Sequence, residues 1–167
     1  MIKTLTVILA LFSGLTVYAQ NYQTQGVFMY SFVRNIQWPE SEKQGNFEIV
    51  VLGETPMLDE LKTMAEKKKG DKDRTIVVTK IKSLAEFKKA QILFIPAEKS
   101  SQLADALAKV GDRSTLIVTE QAGLGAKGSD INFIKKDNKL AFELNQATLA
   151  KHKLKAAIDI TRLAIII

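Results

Sequence analysis

Short apolar runs alternate with stretches of helical spacing along most of the chain. Mostly apolar or β-branched runs at 47–52, 75–79, 92–95 and 116–119 predict buried strands, and the run at 92–95 is uninterrupted. Between these runs, apolar residues recur at intervals of three and four residues, which indicates helices that pack on a sheet. Strands separated by helices favour a parallel sheet with right-handed crossovers. We therefore expect an α/β fold, a single three-layer domain with a mostly parallel sheet flanked by helices.

The first helix is predicted from two apolar stripes within residues 27–36, several of whose members are aromatic. Trp38 and Pro39 are expected to end it, because the residue before proline avoids helical angles. The aromatic stripe is typical of a core face. Aromatic residues and arginine are also enriched at interface centres, so Arg34 and Trp38 are candidates for contact with a partner.

A C-terminal antiparallel hairpin is predicted where the alternation of strands and helices ends. Ile131–Lys136 and Lys139–Leu144 flank Asp137-Asn138, two residues suited to a tight turn. Asn145 is then expected to cap a last helix whose apolar spacing continues to Ile167. The last five side chains are uncharged, so this end of the chain must pack or pair with something.

Residues 1–19 have the pattern of a secretory signal peptide, and residues 20–167 are expected to form one domain. Lys3 supplies the positive end, residues 5–15 an apolar core, and Val17-Tyr18-Ala19 a small-residue cleavage pattern before Gln20. An uncleaved membrane anchor is the alternative. The apolar run is short for a span, and the following residues are polar at once, which favours export and cleavage.

The most specific local feature is a glycine-rich loop that carries Gly123, Gly125 and Gly128 and fits the spacing G-x-G-x-x-G. In a dinucleotide cradle those glycines open a helix whose N-terminus faces the phosphates. Here the residues after Gly128 alternate as in a strand, so a structural or partner-facing loop is favoured. Asn132 is expected to hydrogen-bond backbone groups of this loop, with ligand contact as the alternative.

Composition excludes several kinds of chemistry. The chain has no cysteine, so disulfides, thiol catalysis and lipidation on cysteine are excluded. The single histidine, His152, lies among lysines and is expected to face solvent. No catalytic nucleophile, metal-ligand cluster or cofactor motif is recognised, and an enzyme is not expected. The net charge of +6 is spread along the chain, which does not indicate nucleic-acid binding, although contact with an anionic membrane surface is left open.

Taken in order, these landmarks resemble the YfiR family (YfiR/HmsC-like), small exported α/β proteins of Gram-negative bacteria. The most specific match is the glycine-rich loop that leads into isoleucine, asparagine and phenylalanine. The matching segments are Phe28–Pro39, Phe47–Gly53, Thr55-Pro56, Ile92–Ile95, Gly128–Phe133, Phe142–Asn145 and Leu163-Ala164.

The resemblance implies a regulatory protein rather than a catalyst. Proteins of this family look like periplasmic repressors that bind the periplasmic sensor region of an inner-membrane diguanylate cyclase and limit cyclic-di-GMP signalling and biofilm formation. A homodimer is a further possible assembly. Several relatives carry cysteine pairs, and because this chain has none, redox control is not expected here.

A periplasmic small-ligand-binding module is the alternative function, because open parallel sheets bind ligands beyond the carboxyl ends of their strands. In this chain those ends are predicted near Gly53-Glu54, Pro96-Ala97 and Glu120-Gln121. Six residues are candidates for binding a partner or ligand, and none is assigned to catalysis or to a metal. They are Arg34, Trp38, Ser129, Asn132, Glu143 and Asn145.

Overall fold

The computed structural model describes residues 22–167, so the predicted signal peptide and its cleavage site lie outside the described residues. The described part of the first helix, α1, covers residues 22–35. A short strand, β1 (Ile36–Gln37), follows it. The prediction that this helix extends to Trp38 is therefore wrong at its end, because the chain becomes extended to pair with β8 (Lys155–Ala156).

The central feature is a seven-stranded sheet in the order β3-β2-β4-β5-β6-β7-β9. The five strands from β2 to β6 are parallel, β7 is antiparallel to β6, and β9 is parallel to β7. The chain first adds β3 on one side of β2 and then crosses to the other side with β4. The strands are β2 (Phe47–Leu52), β3 (Ile76–Ile81), β4 (Ile92–Ile95), β5 (Leu116–Thr119), β6 (Ile131–Lys136), β7 (Lys139–Leu144) and β9 (Ile165–Ile166).

Helical segments cover both faces of the sheet. One face packs against α1, α2 (Met57–Lys67) and α4 (Gln146–Lys151), through buried side chains such as Phe32, Leu61 and Leu149. The other face packs against α3 (Leu103–Val110) together with Phe87 and Leu124. The predicted three-layer α/β architecture and its C-terminal hairpin are confirmed. Among residues 22–167, no helix has both the length and the hydrophobicity that crossing a membrane requires.

The C-terminal segment differs from the single long helix that its spacing predicts. The chain leaves α4 through a turn at Lys153, whose φ is 59°, and then forms β8, a short α5 (Ile158–Leu163) and β9. Leu154 and Ile160 still point into the core, which explains the helical spacing of the pattern. The extended pieces form because β1 and β7 offer them backbone partners, and such long-range pairing outweighs local helical preference.

Candidate functional site

Asp130 joins three elements at the point where the glycine-rich loop enters β6. Its backbone N–H donates to the carbonyl of Ile117 at 3.1 Å, and its carbonyl accepts from the N–H of Asn145 at 2.9 Å. Its Oδ2 accepts from the N–H of Ile117 at 2.7 Å. The side chain has no solvent exposure, and burial raises the pKa of this carboxyl above its ordinary value. Asp130 thus fixes β5 and the start of α4 to the loop.

His152 is the partner of Asp130, and the expectation that it faces solvent is wrong. Its Nδ1 lies 2.9 Å from both carboxylate oxygens of Asp130, and the residue is only 1% exposed. One hydrogen is shared between Nδ1 and the carboxyl group in this contact. Nε2 is buried without a hydrogen-bond partner. The flanking lysines had indicated an exposed position. The spacing of three residues between Leu149 and His152 indicates instead that both face inward.

A second polar chain runs from the end of β5 to β7. The hydroxyl of Thr119 donates to Asn132 Oδ1 at 2.7 Å, and Asn132 Nδ2 donates to Glu143 Oε2 at 2.8 Å. Ser129 lies against the same threonine at 2.9 Å and donates to the carbonyl of Ile131 at 2.7 Å. Asn132 is fully buried as expected, but its partners are side chains rather than the backbone of the loop. Ser129 and Asn132 therefore have no surface on which a partner could bind.

The glycines serve the packing of the loop. A Cβ on Gly125 would lie 2.7 Å from Ile167 Cδ1, and one on Gly128, whose φ is +108°, would lie 3.0 Å from Leu107 Cδ1. Gly123 has a φ of +83° but open space around it. The loop leads into β6 and not into a helix, so it lacks the helix N-terminus that a dinucleotide cradle needs.

The remaining candidates lie in different places. Asn145 caps α4 as predicted, since its Oδ1 accepts from the N–H of Thr148 at 3.1 Å. Trp38 is buried in the core and packs edge-on against the ring of Phe47, with 5.0 Å between the ring centroids. Arg34 is exposed on α1 and donates to the carbonyl of Gly70 at 2.7 Å. The six candidates do not form one site: four surround the glycine-rich loop, whereas Arg34 and Trp38 contact other segments.

A cavity of about 460 Å³ lies beyond the carboxyl end of β5, in the region where parallel sheets bind ligands. Glu120 follows β5 and lines the cavity, and its Oε1 accepts from the N–H of Ala97, which follows β4, at 3.2 Å. Burial raises the pKa of the Glu120 carboxyl above its ordinary value. Gln25 of α1 and Glu143 of β7 line the same cavity.

Large apolar side chains are exposed mainly in the C-terminal segment. Ile158 and Leu163 are 63% and 61% exposed, and Ile166 and Ile167 are also exposed. In contrast, the aromatic stripe of α1 is core, because Phe32 is fully buried and stacks with Phe28. The exposed aliphatic residue of α1 is Val27. The C-terminal segment is therefore the better candidate for a surface that binds another protein.

Within residues 22–167, no three or more histidine, cysteine, aspartate or glutamate side chains are grouped so that they could hold a metal ion. Comparison with protein families gives one finding. A family model described as YfiR/HmsC-like matches residues 22–165, nearly the whole described chain. No curated protein matches the sequence significantly.

Proposed function

The chain belongs to the YfiR/HmsC-like family, and from that premise we propose that it is a periplasmic repressor of an inner-membrane diguanylate cyclase. In this proposal the protein binds the periplasmic sensor region of the cyclase, lowers cyclic-di-GMP synthesis and so limits biofilm formation. It acts by binding and not by catalysis. The family match supports this regulatory role, and cleavage of the signal peptide and formation of a homodimer stay predictions.

The observation that carries the proposal is the exposed aliphatic surface of the C-terminal segment, residues 158–167. Ile158 and Leu163 place more than half of their surface in water. Burial of such side chains against a partner contributes about 25 cal/mol per Å² of apolar area. The segment includes β9, which lies at one end of the sheet order. It therefore combines apolar side chains with a sheet edge, two features typical of binding surfaces.

The aromatic first helix is not the proposed interface, because its phenylalanines are needed inside. Phe28 and Phe32 pack against Phe142 with ring centroids 5.3 and 5.1 Å apart. Arg34 also has an internal role, since it donates to the carbonyl of Gly70. Replacing Arg34 would thus remove an internal hydrogen bond as well as any contact with a partner, and it makes a poor test of binding.

Leu163→Asp tests the proposed interface. The side chain is exposed, so we expect the free energy of unfolding to change by less than about 0.5 kcal/mol, whereas repression of the cyclase should be lost. The measurement is cellular cyclic-di-GMP and surface attachment in a strain that carries the variant, with a gene deletion as reference.

Val27→Asp is the matched control, because Val27 is an equally exposed aliphatic residue on α1. It should retain repression. If Leu163→Asp represses like the unmodified protein, or if Val27→Asp releases the cyclase to the same extent, the C-terminal segment is not the interface. A deletion strain whose cyclic-di-GMP is unchanged wherever the protein is expressed would contradict the repressor function itself.

A small-ligand-binding module is the second candidate function, and the cavity beyond β5 is the observation that favours it.

A further inference from the structure

We propose that the cavity beyond the carboxyl end of β5 binds a small amphipathic cation, namely a primary amine that carries an apolar group. The cavity volume of about 460 Å³ falls within the range of small-molecule sites. The proposal concerns the protein alone and does not depend on a cyclase partner.

The cavity exists because β5 is shorter than its neighbour. β5 pairs with β6 only at Val118 with Ile131 and Thr119 with Asn132. Beyond these pairs the chain of β5 turns away, so the adjacent edge of β6 at residues 133–135 is not covered by it. Ala122 and Gly123 of the departing loop form another part of the lining. The site is therefore built from the ends of regular elements and is held by the sheet.

Three oxygen-bearing side chains line this cavity, those of Gln25, Glu120 and Glu143, and the amide oxygen of Gln25 lacks a hydrogen-bond donor. Glu120 is half-buried beside Gln25, whose side chain lies within hydrogen-bonding range of it. Gln25 is only 7% exposed, and its Oε1 has no hydrogen-bond partner. Buried amide oxygens are normally satisfied, so an acceptor without a donor in a cavity wall indicates a donor supplied from outside the chain. Glu143 contributes a second carboxyl group, whose Oε2 also accepts from Asn132.

The charge and polarity of the remaining lining narrow the ligand class. Glu120 and Glu143 supply two carboxyl groups, whereas Lys135 is the single lysine in the lining and is exposed to solvent. An anion would have to lie near both carboxyl groups, and a cation would balance them. Phe133, Ile134 and Leu140 provide apolar lining. A ligand with an ammonium group near Glu120 and an apolar group against these residues would match both the carboxyl groups and the apolar lining.

Three probes of the same shape test the proposal by isothermal titration of the purified protein. Phenethylamine is the cation, 2-phenylethanol the neutral control and 3-phenylpropanoate the anion. We expect phenethylamine to bind at least about tenfold more tightly than either control, since a hydrogen bond to a charged group contributes that much or more. If the alcohol or the acid binds as tightly as the amine, the proposal is wrong.

Two variants locate the binding. Glu120→Gln should weaken the binding of phenethylamine by about tenfold and leave the binding of 2-phenylethanol unchanged. Glu86→Gln, at an exposed position, should change neither affinity. Ala122→Phe, at an exposed lining position, should fill the cavity and abolish binding without touching a buried group. Amine binding that persists in both Glu120→Gln and Ala122→Phe would overturn the site. That result would leave the proposed repression untouched, because repression is read in cells with Leu163→Asp.

Discussion

Replacing His152 by leucine removes the partner of a fully buried carboxylate. In the folded protein, Nδ1 of His152 lies 2.9 Å from each oxygen of Asp130, and Asp130 has no solvent exposure. After the change, the N–H of Ile117, 2.7 Å from Oδ2, is the closest remaining donor. Breaking a buried pair from one side typically costs about 3 to 5 kcal/mol, and the Ile117 donor that stays on Oδ2 favours the lower end of this range.

For a domain of this size, a loss of that magnitude should lower the melting temperature by about 10 °C. Urea unfolding measures the loss directly. Trp38 is the only tryptophan, and it is 3% exposed in the folded state, so its fluorescence reports unfolding. Lys151→Leu, at the exposed last residue of α4 next to His152, is the control and should change the free energy of unfolding by less than about 0.5 kcal/mol.

A double-mutant cycle separates the pair from simple loss of packing. Asp130→Asn removes the charge with little change in shape, and we expect it and His152→Leu together to cost less than the sum of the two single changes. The difference should lie between about 0.5 and 3 kcal/mol, as for residues in one network. Additive effects, or a His152→Leu variant as stable as the Lys151→Leu control, would refute the argument that the buried pair is a stabilising unit.

Three further predictions concern the loop, the cavity and processing. Gly128→Val should lower the free energy of unfolding by about 1 to 3 kcal/mol, through its positive φ and the close approach of Leu107, and an unchanged urea midpoint would contradict this. Burial raises the pKa of Glu120, so its contribution to stability is present below the ordinary pKa of glutamate and is lost as the pH rises through the folded value. Glu120→Gln should therefore gain stability relative to the unmodified protein as the pH rises above about 4, and a constant difference between the two midpoints would refute it. The intact mass of the exported protein should correspond to a chain that starts at Gln20, and a membrane-bound protein that retains residues 1–19 would contradict the signal-peptide prediction.

Sequence alone was sufficient for the features that depend on neighbouring residues. The mostly apolar runs of β2, β4 and β5 predicted their strands because a strand covered on both faces has few polar positions. Asp137 and Asn138 predicted the hairpin turn, and both have a positive φ, 50° and 59°. The cap at Asn145 was equally readable, since its hydrogen bond reaches only three residues along the chain.

Only the tertiary structure decided the features that depend on long-range pairing. The C-terminal residues have helical spacing, yet β8 and β9 form because β1 and β7 provide backbone partners that are distant in sequence. The register of β5 against β6 places Thr119 beside Asn132, which turns two polar residues into one buried network. His152 is concealed by its lysine neighbours in the sequence and is buried because the start of β6 brings Asp130 to it. In each case the deciding contact joins segments that are distant in the sequence. Local patterns cannot predict such contacts, because the free energy gained on burial depends on the residues of the other segment.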